Sequence, residues 1–195
     1  MQTQAATLRL AVLPRAGLVT DALLVVGGTA FVALAAQVSI KLGFTPVPLT
    51  GQTFAVLLVG AALGSTRGAL SLLLYLVVGI AGVPVYADHK HGWSVFSGAT
   101  GGYIVGFVVA ATLTGWLAER SWDKRFSSSI SAMLTGSVVI YICGVAWLHH
   151  FLGVNWSTTL DDGLYPFVPG DMLKVYLAAA ALPGAWRLVD RMRKS

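Results

Sequence analysis

The stretch LTGQTFAVLLVGAALGSTRGALSLLLYLVVGIA, Leu49 to Ala81, decides how many times this chain crosses a membrane. It holds two apolar runs, residues 49–63 and 69–81, separated by Gly64-Ser65-Thr66-Arg67-Gly68. A single helix through both would carry Arg67 towards the bilayer centre, at a cost of about 2.5–3.5 kcal/mol on insertion scales. A tight hairpin of two short helices avoids that cost, so two spans are expected here.

Longer apolar runs lie on either side. Upstream, residues 18–40 are almost wholly apolar, enough for one tilted span at about 1.5 Å per residue. Downstream, spans are expected at 102–117, 130–152 and 171–189, the last interrupted by Pro183-Gly184. The 195 residues are 56% hydrophobic and 11% charged. A soluble domain carries about 25% charged residues, so the expected fold is an all-α integral membrane protein of six transmembrane helices. Residues 1–17 and 190–195 would form a cytoplasmic N-terminal segment and a basic cytoplasmic tail around the membrane domain, 18–189. The apolar core of the first span exceeds the roughly 7–15 residues of a cleavable signal, so it is read as retained.

Charge sets the orientation. With both termini inside, the cytoplasmic side holds Arg9, Arg15, Arg67, Arg120, Lys124, Arg125, Arg187, Arg191, Arg193 and Lys194, against Lys41 and Lys90 outside. That ten-to-two bias matches the excess of Lys and Arg in short cytoplasmic loops. Fusing the second and third spans would turn the Arg120–Arg125 cluster and the C-terminus outward, against the same rule.

Several function classes lack their residues. The sequence has no Gly-Lys pair and hence no phosphate-binding loop, so any ATP hydrolysis belongs to partners. The basic residues form no aromatic-interleaved stripe, which argues against nucleic acid. No hydrolase or zinc-protease motif occurs. His89 and His91 have no companion ligands in sequence and read as loop residues, while His149 and His150 read as an interfacial pair; no metal site and no cofactor are expected. The lone Cys143 cannot form an internal disulfide and reads as a small apolar residue. Asp21, in the first turn of the first span, reads as a helix-end carboxylate.

An ionisable residue at membrane depth is a functional candidate by default. Asp171 and Lys174, at i and i+3 after Pro169-Gly170, share one helix face. They form either a helix cap with a local ion pair or a ligand clamp of one acceptor beside one donor. Other groups on the same outer side can complete a pocket: Thr50 and Gln52 after two prolines, Tyr86 and Asp88, and Tyr103 behind two glycines. The aromatics among them serve equally as interface anchors. Ala22, Thr29, Ala33 and Ala36 give the first helix a stripe of small residues suited to close helix packing.

Four motifs in order, Phe44-Thr-Pro-Val-Pro-Leu-Thr-Gly-Gln52, Pro84-Val-Tyr-Ala-Asp88, Gly98-Ala-Thr-Gly-Gly-Tyr-Ile-Val-Gly-Phe107 and Pro166-Phe-Val-Pro-Gly-Asp-Met-Leu-Lys174, resemble the BioY family, the biotin-binding S components of energy-coupling factor transporters. The resemblance spans about 18–189. It implies a multi-pass protein of the bacterial cytoplasmic membrane that captures biotin at its outer face. An energy-coupling transmembrane subunit and ATPase subunits would be its partners. By the same resemblance, Asp171 and Lys174 bind the ligand and Asp88 occupies a matching position, and Gln52, Tyr103, Tyr86 and Thr50, read above from the residues, complete the expected biotin-binding set. Asp88 stands where the family often has a small or amide residue. The family's docking face on the first helix maps to Val26-Gly-Gly-Thr-Ala30, which together with the stripe of small residues gives Thr29, Ala30 and Ala33 as docking candidates.

The chemistry of the ligand agrees with the pair. A ureido ring offers two N–H donors and one carbonyl, so an acceptor beside a donor is complementary, and the thiophane ring suits apolar walls. The valerate carboxylate needs donors of its own, either backbone N–H groups or Lys90. An autonomous biotin carrier is the alternative within transport. A membrane transferase using Asp171 as base has neither nucleophile nor metal set to support it.

Overall fold

The computed structural model describes residues 7–13 and 17–192, so Arg15, Arg193 and Lys194 of the charge argument lie outside the described residues. The chain is a helical bundle. A short helix α1, Leu8–Val12, precedes α2, Leu18–Gln37. A two-residue hairpin pairs β1, Ser39–Ile40, with β2, Leu49–Thr50, in antiparallel register. There follow α3, Gln52–Leu63, and α4, Ser65–Ile80; then a single turn of 3-10 helix at Ala87–His89 and the short α5, Trp93–Phe96. The remainder is α6, Gly101–Glu119; α7, Phe126–Leu152; α8, Trp156–Gly163; and α9, Val168–Met192. Helices α2, α6, α7 and α9 are long and apolar enough to cross a membrane, and α3 and α4 are shorter apolar helices.

The expected break between the second and third spans is present but much tighter. Gly64 alone makes the turn, at φ 87°, a backbone conformation that a side chain would strain. The third helix therefore begins at Ser65, four residues before the expected Ala69, because its first turn finds a cap elsewhere. Glu119 Oε1, at the end of α6, accepts hydrogen bonds from Ser65 N and Ser65 Oγ, both at 2.8 Å. A carboxylate at a helix N-terminus satisfies free N–H groups and complements the helix dipole.

Three further expectations are corrected. The first helix stops at Gln37 rather than Ile40, because Ser39 and Ile40 exchange their backbone bonds with the strand that enters α3. The sixth helix runs on through Pro183, which is buried in it, so Pro183-Gly184 does not interrupt it. Asp21 does more than complement a helix end: its carboxylate joins Arg67 of α4 and Arg9 of α1.

Helix α6 is the centre of the bundle. Gly102 and Gly106, one turn apart, let α7 approach so closely that an added Cβ would run into Trp147 at the first position and Cys143 and Ile140 at the second. Small residues at that spacing are how helices gain dispersion contact without the hydrophobic drive that water supplies. On α7, Gly144 accommodates the ring of Tyr103 and Gly136 accommodates Leu57 and Thr114. Helix α2 is peripheral, with Leu23, Val26, Phe31 and Leu34 turned outward. At the other end of the bundle α8 covers the joint: His149 stacks on Trp156 with ring centroids 3.9 Å apart, and the Thr45 hydroxyl of the first loop donates to the Asp162 carbonyl at 2.6 Å.

Candidate functional site

A cavity of about 260 Å³ opens where the first loop, the segment after α4, the start of α6, the middle of α7 and the start of α9 converge. That is slightly below the roughly 300–1,000 Å³ usual for small-molecule sites, so it suits a compact ligand. Its apolar walls include Pro46, Val47, Leu49, Val95, Ile104, Phe107, Ile140 and Phe167, and polar side chains from several elements stand among them.

Asp171 and Lys174 sit together at its inner wall. Lys174 Nζ donates to Asp171 Oδ1 at 2.7 Å, and Asp171 is only 3% exposed. Helix α9 begins at Val168, so Asp171 stands in its first turn and forms the local ion pair, but the partners recorded for its carboxylate are side chains rather than backbone N–H groups. The pair is instead tied to other helices. Lys174 Nζ also donates to the Thr50 carbonyl at 2.5 Å and to Thr53 Oγ1 at 3.4 Å. Asp171 accepts from Thr53 Oγ1 at 3.1 Å and, on its other oxygen, from the Tyr141 hydroxyl at 2.7 Å. These bonds supply the compensation that a charged pair out of water requires.

The other candidates divide. Thr50 and Gln52 line the cavity, and the Thr50 hydroxyl donates to Gln52 Oε1 at 2.9 Å. Gln52 Nε2 donates to the buried Tyr75 hydroxyl at 2.6 Å, which donates in turn to the Val85 carbonyl at 3.1 Å. Tyr86 lines the cavity with its ring packed on Gly79 and its hydroxyl bonded to the Leu76 carbonyl at 2.8 Å. Burial pushes that hydroxyl up to about 12, so it stays a neutral donor. Tyr103 lines the cavity and donates to the Gly163 carbonyl at 2.7 Å.

Asp88 is the exception. It is not among the residues lining the cavity; it takes a left-handed backbone at φ 58° and pairs with Lys41 at 3.0 Å. The Lys41 ammonium holds its carboxyl below the usual carboxylate range. Lys90, two residues on, lines the cavity and is exposed. Of the docking candidates, Thr29 is buried, its hydroxyl donating to the Ser71 carbonyl of α4 at 2.8 Å, and Ala33 packs against the core. Only Ala30 faces outward, next to Gly27, which has nothing within 4 Å of where a side chain would begin.

Sequence reasoning missed Tyr141, Thr53 and Gln37. The first two meet Asp171 only through the fold. Gln37 gave a usable signal, as a polar side chain ending an apolar helix: its Nε2 donates to the Tyr86 carbonyl at 3.2 Å and its Oε1 accepts from His89 N at 3.1 Å, tying the cavity wall to α2.

Residues 2–191 match the BioY family. The chain belongs to this family. It is 35% identical to "Biotin transporter BioY" of Rhizobium etli over 155 residues, covering 76% of this chain and 82% of that protein. With "Biotin transporter BioY" of Thermotoga maritima the identity is 36% over 151 residues, 77% of this chain and 86% of that one. The crystal structure of an S-component for biotin from an ECF-type ABC transporter superposes with a TM-score of 0.76 at 27% identity, covering 91% of this chain and 92% of that one. The BioY fold and the apolar helices make this a multi-pass membrane protein and a transport subunit rather than an enzyme.

Proposed function

We propose that this BioY protein is the substrate-binding membrane subunit of a biotin uptake system. It crosses the bacterial cytoplasmic membrane six times with both termini inside, captures biotin from the outer side and delivers it inward with an energy-coupling transmembrane subunit and ATPases. The observation that carries the reading is the Asp171–Lys174 pair set in the wall of a compact cavity with apolar surroundings. A ureido group presents an N–H to such an acceptor and its carbonyl to such a donor. The apolar residues suit the thiophane ring and alkyl chain, and Lys90 is the charged donor available to the carboxylate.

Partner dependence rests on two features. The sequence has no phosphate-binding loop, and α2 turns an apolar face outward with small residues, Gly27 and Ala30, at its middle. Ala30 replaces Thr29 and Ala33 as the position to probe, since those two are engaged inside the bundle.

The test is mass spectrometry of the purified protein for retained biotin, followed by uptake in vesicles with and without the partner subunits. Retained biotin and uptake only with partners and ATP support the reading. Uptake against a gradient by the isolated protein, driven by protons or sodium, makes it an autonomous carrier instead.

A further inference from the structure

The two oxygens of Asp171 are used unequally. Oδ1 accepts from Thr53 Oγ1 and from Lys174 Nζ, whereas Oδ2 accepts from the Tyr141 hydroxyl. An ionised carboxylate oxygen offers about two lone-pair directions, so the protein fills Oδ1 and leaves one direction of Oδ2 open. Asp171 and Tyr141 both line the cavity. Tyr141 belongs to α7 and Asp171 to α9, so this bond ties the carboxylate to a third helix, after the Thr53 contact to α3. The torsion that turns a carboxylate about its own axis is broad and imposes little orientation by itself. Without the Tyr141 bond, only the two contacts on Oδ1 would oppose that rotation.

We propose that Tyr141 is a positioning residue: its hydroxyl pins Asp171 Oδ2 so that the remaining lone pair faces the cavity and reads a single N–H of the ligand. The inference rests on the biotin reading and sharpens it. The two N–H bonds of a cyclic urea point to opposite sides of the ring, so one carboxylate oxygen takes one of them and not both. A site built in this way rejects an isostere that lacks that donor and is indifferent to loss of the other at the same oxygen.

The experiment titrates wild type, Tyr141→Phe and Asp171→Asn in detergent with three ligands: biotin and the two isosteres in which one or the other ureido N–H is replaced by a ring oxygen. Tyr141→Phe keeps the ring in the cavity wall. It is expected to weaken biotin, and the isostere that keeps the read N–H, by about tenfold, and to change the other isostere by less than about twofold. In the Asp171→Asn background the same substitution adds nothing. Uniform weakening of all three ligands, or no weakening of any, overturns the role of Tyr141 while leaving biotin binding in place. A wild-type protein that does not bind biotin overturns the biotin reading and this inference with it.

Discussion

The Arg67 guanidinium grips the Asp21 carboxylate with two hydrogen bonds, Nε to Oδ1 at 2.8 Å and Nη2 to Oδ2 at 2.7 Å. The same carboxylate receives Arg9 Nη2 at 2.6 Å, so α1, α2 and α4 meet on one acidic residue. The planar fork of arginine matches a carboxylate as an ammonium does not. Arg67→Lys is therefore expected to lower the melting temperature in detergent nearly as far as Arg67→Ala, and both further than Arg9→Ala, which removes a single-point contact. Equal melting of wild type and Arg67→Ala would show the cluster to be dispensable.

Gly79 leaves room for the Tyr86 ring, and a methyl group there would overlap it. Overpacking of this kind costs about 1–3 kcal/mol. Gly79→Ala is expected to lower thermal stability and, by displacing a wall of the cavity, to weaken biotin binding. Tyr86→Phe keeps the packing and loses only the hydroxyl bond to Leu76, so its effect on both measurements is the smaller.

Lys90 at the cavity mouth is assigned to the ligand's carboxylate. An exposed ion pair is worth little, so Lys90→Ala is expected to weaken biotin by roughly two- to fivefold. Biotin amide, which has no charge, should lose nothing. Calorimetry with both ligands separates the outcomes, and equal losses would move the carboxylate elsewhere.

Asp123, in the connection between α6 and α7, is buried and bonded to the Trp186 indole N–H at 2.6 Å, while its other oxygen has no hydrogen-bond partner among the described residues. Burial raises its carboxyl above the ordinary value, against the weaker pull of the indole bond and of Lys124. The folded state therefore holds a proton that the unfolded chain releases. Stability falls as pH rises from the ordinary carboxylate range through the raised value. Asp123→Asn keeps an acceptor for Trp186 and removes the buried charge, so it should melt higher than wild type at neutral pH and lose that part of the pH dependence. Parallel melting curves for the two proteins across the range would place the group's titration outside folding.

Orientation is open to cysteine labelling in a Cys143→Ser background. Ser127→Cys, at the exposed start of α7, should resist an impermeant reagent applied outside, and Ser157→Cys, on exposed α8, should react. The reverse pattern would invert the topology.

Much of this fold was legible because membrane helices announce themselves locally, by length, apolarity and terminal charge. The bounds missed were those set by distant partners: Ser65 begins a helix because Glu119 caps it, and residue 38 ends one because the next two join a strand. The site was half legible for the same reason. Asp171 and Lys174 are three residues apart and had to be neighbours, whereas Tyr141 reaches Asp171 only because glycines let α7 settle beside α6. No periodicity tells that Thr29 faces α4 while Ala30 faces outward, because α2 is apolar on every side.

The one-residue turn at Gly64 also sets a depth. Twelve residues separate it from the cavity end of α3, a rise of about 18 Å. The hydrocarbon core of a bilayer is about 30 Å thick, so a helix of this length that enters at one face stops well short of the other. In the proposed orientation, a ligand held beside Thr53 and Asp171 has therefore covered part of its journey before any helix moves.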